Sequence, residues 1–96
     1  MNMQSLMAQA QKVQRELETA NKEIENTTFI GENDAIKVEV KGGLIQKIDI
    51  KDDSILQDKE LLQDMLLVAA NKAFNEMTKE KQEKLGKYTG GLGGLF

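Results

Sequence analysis

The residues of this chain that could do chemistry are carboxylates, lysines and a run of glycines. Asp52 and Asp53 are adjacent carboxylates, and a second pair is formed by Glu60 and Asp64. Paired carboxylates can hold a divalent cation or share acid and base roles in catalysis. Both pairs lie where a helix is expected to begin, however, and acidic residues favour the positive end of a helix dipole. We interpret them as helix-entry residues, which leaves a metal-dependent enzyme as a minor alternative.

Composition removes most other catalytic chemistry. The chain has no His and no Cys, so the commonest general base, the commonest metal ligand and any thiolate or disulfide chemistry are missing. The glycines at positions 90, 91, 93 and 94 superficially resemble a phosphate loop, but they follow a predicted helix and lack a following Lys and Ser or Thr. We therefore expect no catalysis, no cofactor and no small-molecule substrate.

Basic residues are the remaining candidates for a binding role. The net charge is -3, which disfavours a polyanionic partner for the molecule as a whole. The charge is unevenly distributed, because residues 49–64 carry -4 whereas residues 1–22 carry +1 and residues 65–96 carry +2. Phosphate contacts are therefore expected from the two ends of the chain rather than from its middle.

The first segment predicts a helix from about residue 2 to residue 25. Its apolar residues follow the alternating three- and four-residue spacing of a heptad repeat, which forms a narrow stripe that packs against another helix. These residues, here called the seam, are Met3, Leu6, Ala10, Val13, Leu17, Ala20 and Ile24.

Residues 35–52, AIKVEVKGGLIQKIDIKD, alternate apolar and charged side chains around a glycine pair and predict a β-hairpin. The register that keeps apolar residues on one face and charged residues on the other places Val38 opposite Ile48 and Glu39 opposite Lys47, with a three-residue connection from Gly42 to Leu44. Thr27 to Ile30 are β-prone and could extend the hairpin to a small meander. The apolar face, which we assign to the core and to a dimer contact, consists of Ile36, Val38, Val40, Ile48 and Ile50.

The third segment predicts a long amphipathic helix that covers the apolar face of the hairpin. Asp58 is expected to cap its start and Gly86 to end it. Antiparallel packing of the two helices is expected to bring residues 1–15 beside residues 75–88.

The predicted fold is thus α+β, with an N-terminal helix, a small antiparallel hairpin or meander and a long C-terminal helix. Residues 1–88 form one domain, and residues 89–96 form a flexible glycine-rich tail. A chain of this size buries a modest part of its surface, so we expect a symmetric dimer joined through the sheets, with the helices projecting as arms. No stretch is apolar and long enough to span a membrane or to act as a leader, and a cytoplasmic protein is expected.

In this arrangement the basic residues of the helices gather at the far ends of the arms, away from the acidic middle of the chain. Many of them also have acidic partners four residues away and could simply form a solvated helix face. Few aromatic residues accompany them, so recognition of single strands by base stacking is not expected.

Three blocks in series carry a resemblance to a known family: MQSLMAQAQKVQREL, then IKVEVKGGLIQKIDI, then DKELLQDMLLVAANKAFNE, with a glycine-rich end finishing in Phe. Over nearly its whole length the chain resembles the YbaB/EbfC family of bacterial nucleoid-associated proteins. The resemblance implies a homodimer of tweezer-like shape that binds double-stranded DNA in the cytoplasm, organises the nucleoid and influences transcription, without catalysis.

The resemblance also implies that arm residues contact the DNA. Seven candidates match the family as basic residues on the corresponding helices: Lys12, Arg15, Lys22, Lys72, Lys79, Lys81 and Lys84. Lys87 is an eighth candidate, because it is expected at the far end of the arms. Because Arg15 is the only arginine, bidentate reading of bases is not expected, and binding should be salt-sensitive with little sequence preference.

A rival prediction is a small holdase-like chaperone or adaptor. Two helices flanking a hairpin also describe proteins whose arm tips hold apolar segments of other chains. Soft apolar contacts could come from Met3, Leu6, Met7, Leu92, Leu95 and Phe96.

Overall fold

A computed structural model describes residues 2–89, with the side chains of residues 2–86. Helix α1 (Met3–Glu25) is followed by three strands and a second helix. The strands are β1 (Phe29–Glu32), β2 (Ile36–Lys41) and β3 (Leu44–Ile50); a short 3₁₀ helix (Asp53–Gln57) then leads into α2 (Lys59–Thr89). The three strands form one antiparallel sheet in the order β1-β2-β3. The predicted α+β class and order of elements are confirmed, with the meander rather than the simple hairpin.

The β2–β3 hairpin combines two registers through a bulge. Val38 lies opposite Ile48 and Glu39 opposite Lys47, as predicted, but Val40 lies opposite Ile45, which leaves Gln46 as an extra residue. The predicted three-residue connection is therefore wrong: Lys41 pairs with Leu44 around a two-residue turn of Gly42 and Gly43.

Both turn glycines have positive φ, +63° and +77°, as a tight hairpin turn of the primed type requires. The bulge makes the two-residue turn compatible with apolar side chains on the same face of both strands. The extra residue, Gln46, shifts the alternation of side chains in β3 by one position.

The core lies between α2 and two of the three strands. Ile36, Val38 and Val40 of β2 are fully buried, and so are Ala69 and Ala73 of α2. The helix approaches β1 closely enough that a Cβ added at Gly31 would meet the backbone of α2 at Ala69 and Ala73. Gly31 is therefore a packing residue.

The apolar residues of β3 are not covered by α2. The helix packs against β1 and β2, whereas Ile45, Ile48 and Ile50 remain 44%, 46% and 39% exposed on the same face of the sheet as the core. The expectation that α2 covers the whole apolar face is therefore wrong for β3. The reason is width: a helix about 10 Å across spans about two strands spaced about 4.8 Å apart.

Helix α2 begins as predicted and ends later than predicted. The Asp58 carboxylate accepts a hydrogen bond from the backbone N–H of Leu61, at 3.1 Å, which confirms its capping role. The helix continues through Gly86 to Thr89, so the prediction that Gly86 ends it is wrong. The predicted tail lies outside the described residues from residue 90 onward. Among residues 2–89 no helix is both long and apolar enough to cross a membrane.

Asn33, in the β1–β2 connection, ties the sheet to α2. Its side-chain N–H donates to the backbone carbonyl of Met65, at 2.9 Å. Its side-chain oxygen accepts from the backbone N–H groups of Ala35 and Ile36, at 3.0 Å and 2.9 Å. One short side chain thus fixes both the turn and the position of the helix over it.

Candidate nucleic-acid interface

Beyond the sheet, α1 and the last turns of α2 run side by side and form a projecting arm, defined here as residues 3–25 and 75–89. Lys84 Nζ lies 3.3 Å from Glu23 Oε2 and 3.6 Å from Glu80 Oε1. The molecule is 68 Å long and only 25 × 15 Å across, in keeping with an extended arm.

The register of the two helices differs from the prediction. Because Lys84 contacts Glu23, residues 75–88 lie beside the C-terminal half of α1 and not beside residues 1–15. The first part of α2 packs across the sheet, so only its last turns are left to pair with α1. These turns contact the C-terminal end of α1, which is the end nearest the sheet. Residues 3–15, here called the arm tip, are all exposed as a single helix.

The arm tip carries a net positive charge. It contains Lys12 and Arg15 and no Asp or Glu, and both basic side chains are exposed. The uncharged side chains of Gln11 and Gln14 line a shallow groove with Arg15 and Glu18. These amides can also donate hydrogen bonds to phosphate oxygens. Reasoning from charge alone missed them, although the Gln-rich sequence of α1 could have indicated them.

The structure brings three of the predicted basic residues together. Lys12, Arg15 and Lys84 line one open groove between the helices. Three carboxylates line the same groove, those of Glu16, Glu23 and Glu83. Lys84 contacts one of these and also Glu80, so its charge is largely used in holding the arm together. Lys12 and Arg15, at the outer end, are the better candidates for an external anion.

The other predicted lysines of the arm helices are spread over separate surfaces. Lys79 and Lys81 are both exposed, but two residues are about 200° apart around a helix, so they point to different sides of α2. Lys72 lies near the sheet, where its ammonium donates to the Glu32 carbonyl at 3.2 Å. Lys22 is exposed on α1, and the side chain of Lys87 lies outside the described residues.

The lysines of the sheet have acidic neighbours. Lys51 donates to Glu32 Oε2 at 2.9 Å, and Lys47 lies 3.5 Å from Asp49 on its own strand. The hydrogen bond from Lys51, with the charge of its ammonium, lowers the pKa of the Glu32 carboxyl below its ordinary value. The predicted cross-strand neighbours Glu39 and Lys47 are indeed opposite each other.

Two of the acidic residues, Asp52 and Asp58, serve as helix caps. The carboxylate of Asp52 accepts hydrogen bonds from the Ser54 backbone N–H and hydroxyl, at 3.0 Å and 2.6 Å, and these bonds lower the pKa of Asp52. Asp58 caps α2 in the same way. Among the side chains that the structure describes, no group of three or more His, Cys, Asp or Glu residues could hold a metal ion.

These features define a class of protein in which a helical arm with a basic tip projects from an acidic sheet end. Such a protein meets its ligands with a surface and not with an enclosed pocket. Residues 1–92 match the YbaB/EbfC DNA-binding family. The chain belongs to that family, and the resemblance read from the sequence is confirmed.

Several bacterial relatives match over nearly their full length. A nucleoid-associated protein of Lactococcus lactis subsp. lactis is 46% identical over 96 residues, which cover 96% of this chain and 97% of the relative. One from Ligilactobacillus salivarius is 38% identical, with 99% and 95% covered. One from Corynebacterium glutamicum is 36% identical, with 99% and 96% covered.

Proposed function

We propose that this chain is a non-catalytic nucleoid-associated protein that binds double-stranded DNA through its arms, mainly by electrostatic attraction. The observation that carries the proposal is the separation of charge along the molecule. Lys12 and Arg15 stand on an exposed arm tip without acidic residues, while the acidic residues 49–64 lie at the sheet end. Family membership and the names of the relatives support DNA as the partner and the nucleoid as the location. Binding of this kind organises the nucleoid and thereby influences transcription.

We further propose that the functional unit is a symmetric homodimer joined through β3. This strand is an edge of the sheet, and its apolar side chains Ile45, Ile48 and Ile50 are substantially exposed. An exposed apolar edge strand is an energetic liability that a second copy removes by burying it. A dimer also presents two arms to one DNA molecule. Once the first arm is bound, the second arm meets the same DNA at a high effective concentration, so the dimer binds more tightly than a single arm.

Sedimentation velocity tests the dimer directly. Replacing Ile48 by Lys places a charge at the proposed interface, and the variant is expected to sediment as a monomer at micromolar concentrations. Ile30→Lys is the matched control, because Ile30 is equally exposed, at 45%, but lies on the opposite face of the other edge strand. The control is expected to sediment like the wild type. If both variants or neither dissociates, β3 is not the interface.

DNA binding is tested by fluorescence anisotropy of a labelled duplex of about 30 base pairs at several salt concentrations. The arm variant replaces Lys12 and Arg15 by Gln; Lys84 is kept because it pairs with Glu23 and Glu80. The control variant replaces two sheet lysines, Lys37 and Lys41, by Gln and has the same net charge.

The wild type is expected to bind with an affinity that falls linearly in log salt, with a slope of about -0.9 per phosphate contact. The arm variant should lose up to about two of these contacts and show a shallower slope, and the control variant should keep the wild-type slope. Equal losses in the two variants would show that net charge, and not the arm, governs binding. An absence of binding at low salt would refute the proposed function.

A second candidate function, the holdase-like chaperone or adaptor, is favoured by one observation. Met3 and Met7 on the arm tip are 72% and 59% exposed, as residues that hold apolar segments of other proteins would be. An unfolded client that competes with DNA for the arm, or that binds when DNA does not, would favour this function.

A further inference from the structure

An ion pair between Glu23 and Lys84 joins the two helices of the arm. The Lys84 ammonium lies 3.3 Å from the Glu23 carboxylate across the helices, and 3.6 Å from the carboxylate of Glu80 on its own helix. Glu23 and Lys84 both line the open groove between the helices, and Lys12 and Arg15 line the same groove farther out. The ion pair therefore belongs to the surface on which the basic residues of the arm are presented.

The end of α1 fixes the position of the Glu23 carboxylate. The next residue, Ile24, is buried, and the Thr27 hydroxyl donates a hydrogen bond to the Glu23 backbone carbonyl at 2.6 Å. Glu23 thus lies in the last turn of α1, where the negative end of the helix dipole disfavours a carboxylate. Its charge does not stabilise α1 itself, and is favoured instead by the Lys84 ammonium.

This ion pair is weak enough to be exchanged. The side chains of Lys84 and Glu23 are 35% and 58% exposed, and pairs as exposed as this gain little because water screens the charges. The contact between Lys84 and Glu80 is an ordinary i, i+4 pair of a solvated helix and is also weak. A DNA phosphate gains in addition from the release of its condensed counterions. A phosphate at the groove can therefore take the Lys84 ammonium from Glu23.

Lys84 lies within the length of DNA that the outer arm would contact. Arg15 precedes Glu23 by eight residues, or about 12 Å along α1, and Lys12 precedes it by eleven, or about 17 Å. Each DNA strand presents a phosphate about every 3.4 Å along the duplex axis. A duplex lying along the groove therefore passes Lys12, Arg15 and Lys84 together.

From these observations we propose that Glu23 competes with DNA phosphate for Lys84 and thereby limits the affinity of the arm. This inference rests on the proposed function. While the ion pair is intact, Glu23 neutralises Lys84. When a phosphate displaces Glu23, the released carboxylate lies beside the DNA and repels it. Glu23 weakens binding in both states, so its contact with Lys84 is autoinhibitory and Lys84 is a DNA contact held in reserve.

A set of four variants tests this role of Glu23. Glu23→Gln keeps the size of the side chain and removes its charge. Asp34→Asn changes the net charge by the same amount at an exposed position in the β1–β2 connection, at the sheet end. Lys84→Gln breaks the same ion pair from the other side, so any loosening of the arm appears in this variant too. The fourth variant combines Glu23→Gln with Lys84→Gln.

Binding of the same labelled duplex is measured by anisotropy at several salt concentrations, and circular dichroism checks that each variant keeps its helix content. We expect Glu23→Gln to bind about two- to fivefold more tightly than Asp34→Asn at low salt, because an exposed ion pair no longer competes. Its salt slope should be steeper by about 0.9, which corresponds to one more phosphate contact. When Lys84 is already replaced by Gln, Glu23→Gln should leave the slope unchanged.

Two results would overturn the inference. Glu23→Gln could match Asp34→Asn in affinity and slope, which would show an effect of net charge alone. The steeper slope could also persist in the variant that lacks Lys84, which would show that Lys84 is not the group released. If the wild type does not bind at low salt, the proposed function fails as well, whereas wild-type binding without a gain in Glu23→Gln overturns only the role of Glu23.

Lysine acetylation gives a second readout that does not depend on affinity. The acetylation of Lys84 is quantified by mass spectrometry with and without saturating duplex, in the wild type and in Glu23→Gln. DNA is expected to protect Lys84 more strongly in the variant, because no carboxylate of α1 competes for its ammonium. Equal protection of Lys84 in the two proteins would contradict the proposed competition.

Discussion

Replacing Gly31 by Ala is expected to destabilise the fold severely although it adds a single methyl group. The new Cβ would lie under 3.0 Å from both the Ala69 carbonyl oxygen and the Ala73 backbone nitrogen, and at 3.0 Å from Lys72 Cβ. The obstacle is the backbone of α2, which cannot rotate away as the end of a side chain can. Gly31 does not have a positive φ, so the effect is one of space and not of backbone strain.

The size of the effect follows from the contacts that must loosen. To make room, α2 has to retreat from β1 by about 1 Å, and a gap of that size forfeits a quarter to a half of the dispersion energy of each contact. The contacts concerned belong to the fully buried layer of Val38, Ala69 and Ala73. Overpacking of this kind typically costs about 1–3 kcal/mol and occasionally more. Because the obstacle is backbone, we expect about 3 kcal/mol, or a fall in Tm of roughly 12–24 °C for a domain of this size.

Urea unfolding followed by circular dichroism measures this loss, with wild type and variant compared at one protein concentration because a dimer's stability depends on it. Gly86→Ala is the matched control: it is the same substitution, but nothing lies within 4 Å of the added Cβ. A Gly31→Ala protein within about 0.5 kcal/mol of the wild type would refute the close packing of α2 on β1.

Three further changes have defined outcomes. Gly86→Ala is expected to stabilise the protein by about 0.5–1 kcal/mol, because alanine is the better helix former, and urea unfolding should show a higher midpoint. Asp58→Ala removes the cap of α2 and should cost about 1 kcal/mol, whereas Asp58→Asn should retain most of it. Lys51→Met should raise the pKa of Glu32 toward 4.5, as measured by carboxyl ¹³C NMR. Because the pKa of Glu32 is lowered in the folded state, its interaction with Lys51 stabilises the fold above pH 4.5, and this contribution is lost as the pH falls through the folded-state pKa. An unchanged Glu32 titration in the Lys51→Met variant would contradict the prediction.

Much of the local structure could be predicted from the sequence because it depends on neighbouring residues. Alternation of apolar and charged residues determines which faces of β2 and β3 match, and this requirement alone gives the pairing of Val38 with Ile48. The cap at Asp58 is likewise a matter of a few adjacent residues. The bulge at Gln46 was missed because two acceptable solutions, a longer loop or an extra strand residue, satisfy the same pattern.

Features that depend on distant parts of the chain were harder to predict. Gly86 looks like a helix end, but its cost within a helix, about 1 kcal/mol, is outweighed by favourable residues and by packing on both sides. The register of α1 against α2 depends on how much of α2 is used in crossing the sheet. The role of Gly31 depends on a helix that begins many residues later. The exposure of β3, in contrast, could have been predicted from the widths of a helix and a strand.

The basic residues of the arm were predicted as a set, and the structure separates them by environment. Lys84 pairs with Glu23 and Glu80, and Lys72 lies against the sheet, whereas Lys12 and Arg15 are exposed on the arm tip. Charge counting along the sequence cannot make this distinction, because it depends on which carboxylates the packing of two helices brings near.

The central claim, that DNA is contacted by the arm, is tested most directly by lysine footprinting. Acetylation of each lysine is quantified by mass spectrometry with and without saturating duplex DNA at low salt. Protection is expected at Lys12, on the arm tip, with Lys37, Lys41 and Lys47 modified equally in both samples. Protection of the sheet lysines, with the arm lysines unchanged, would contradict the claim.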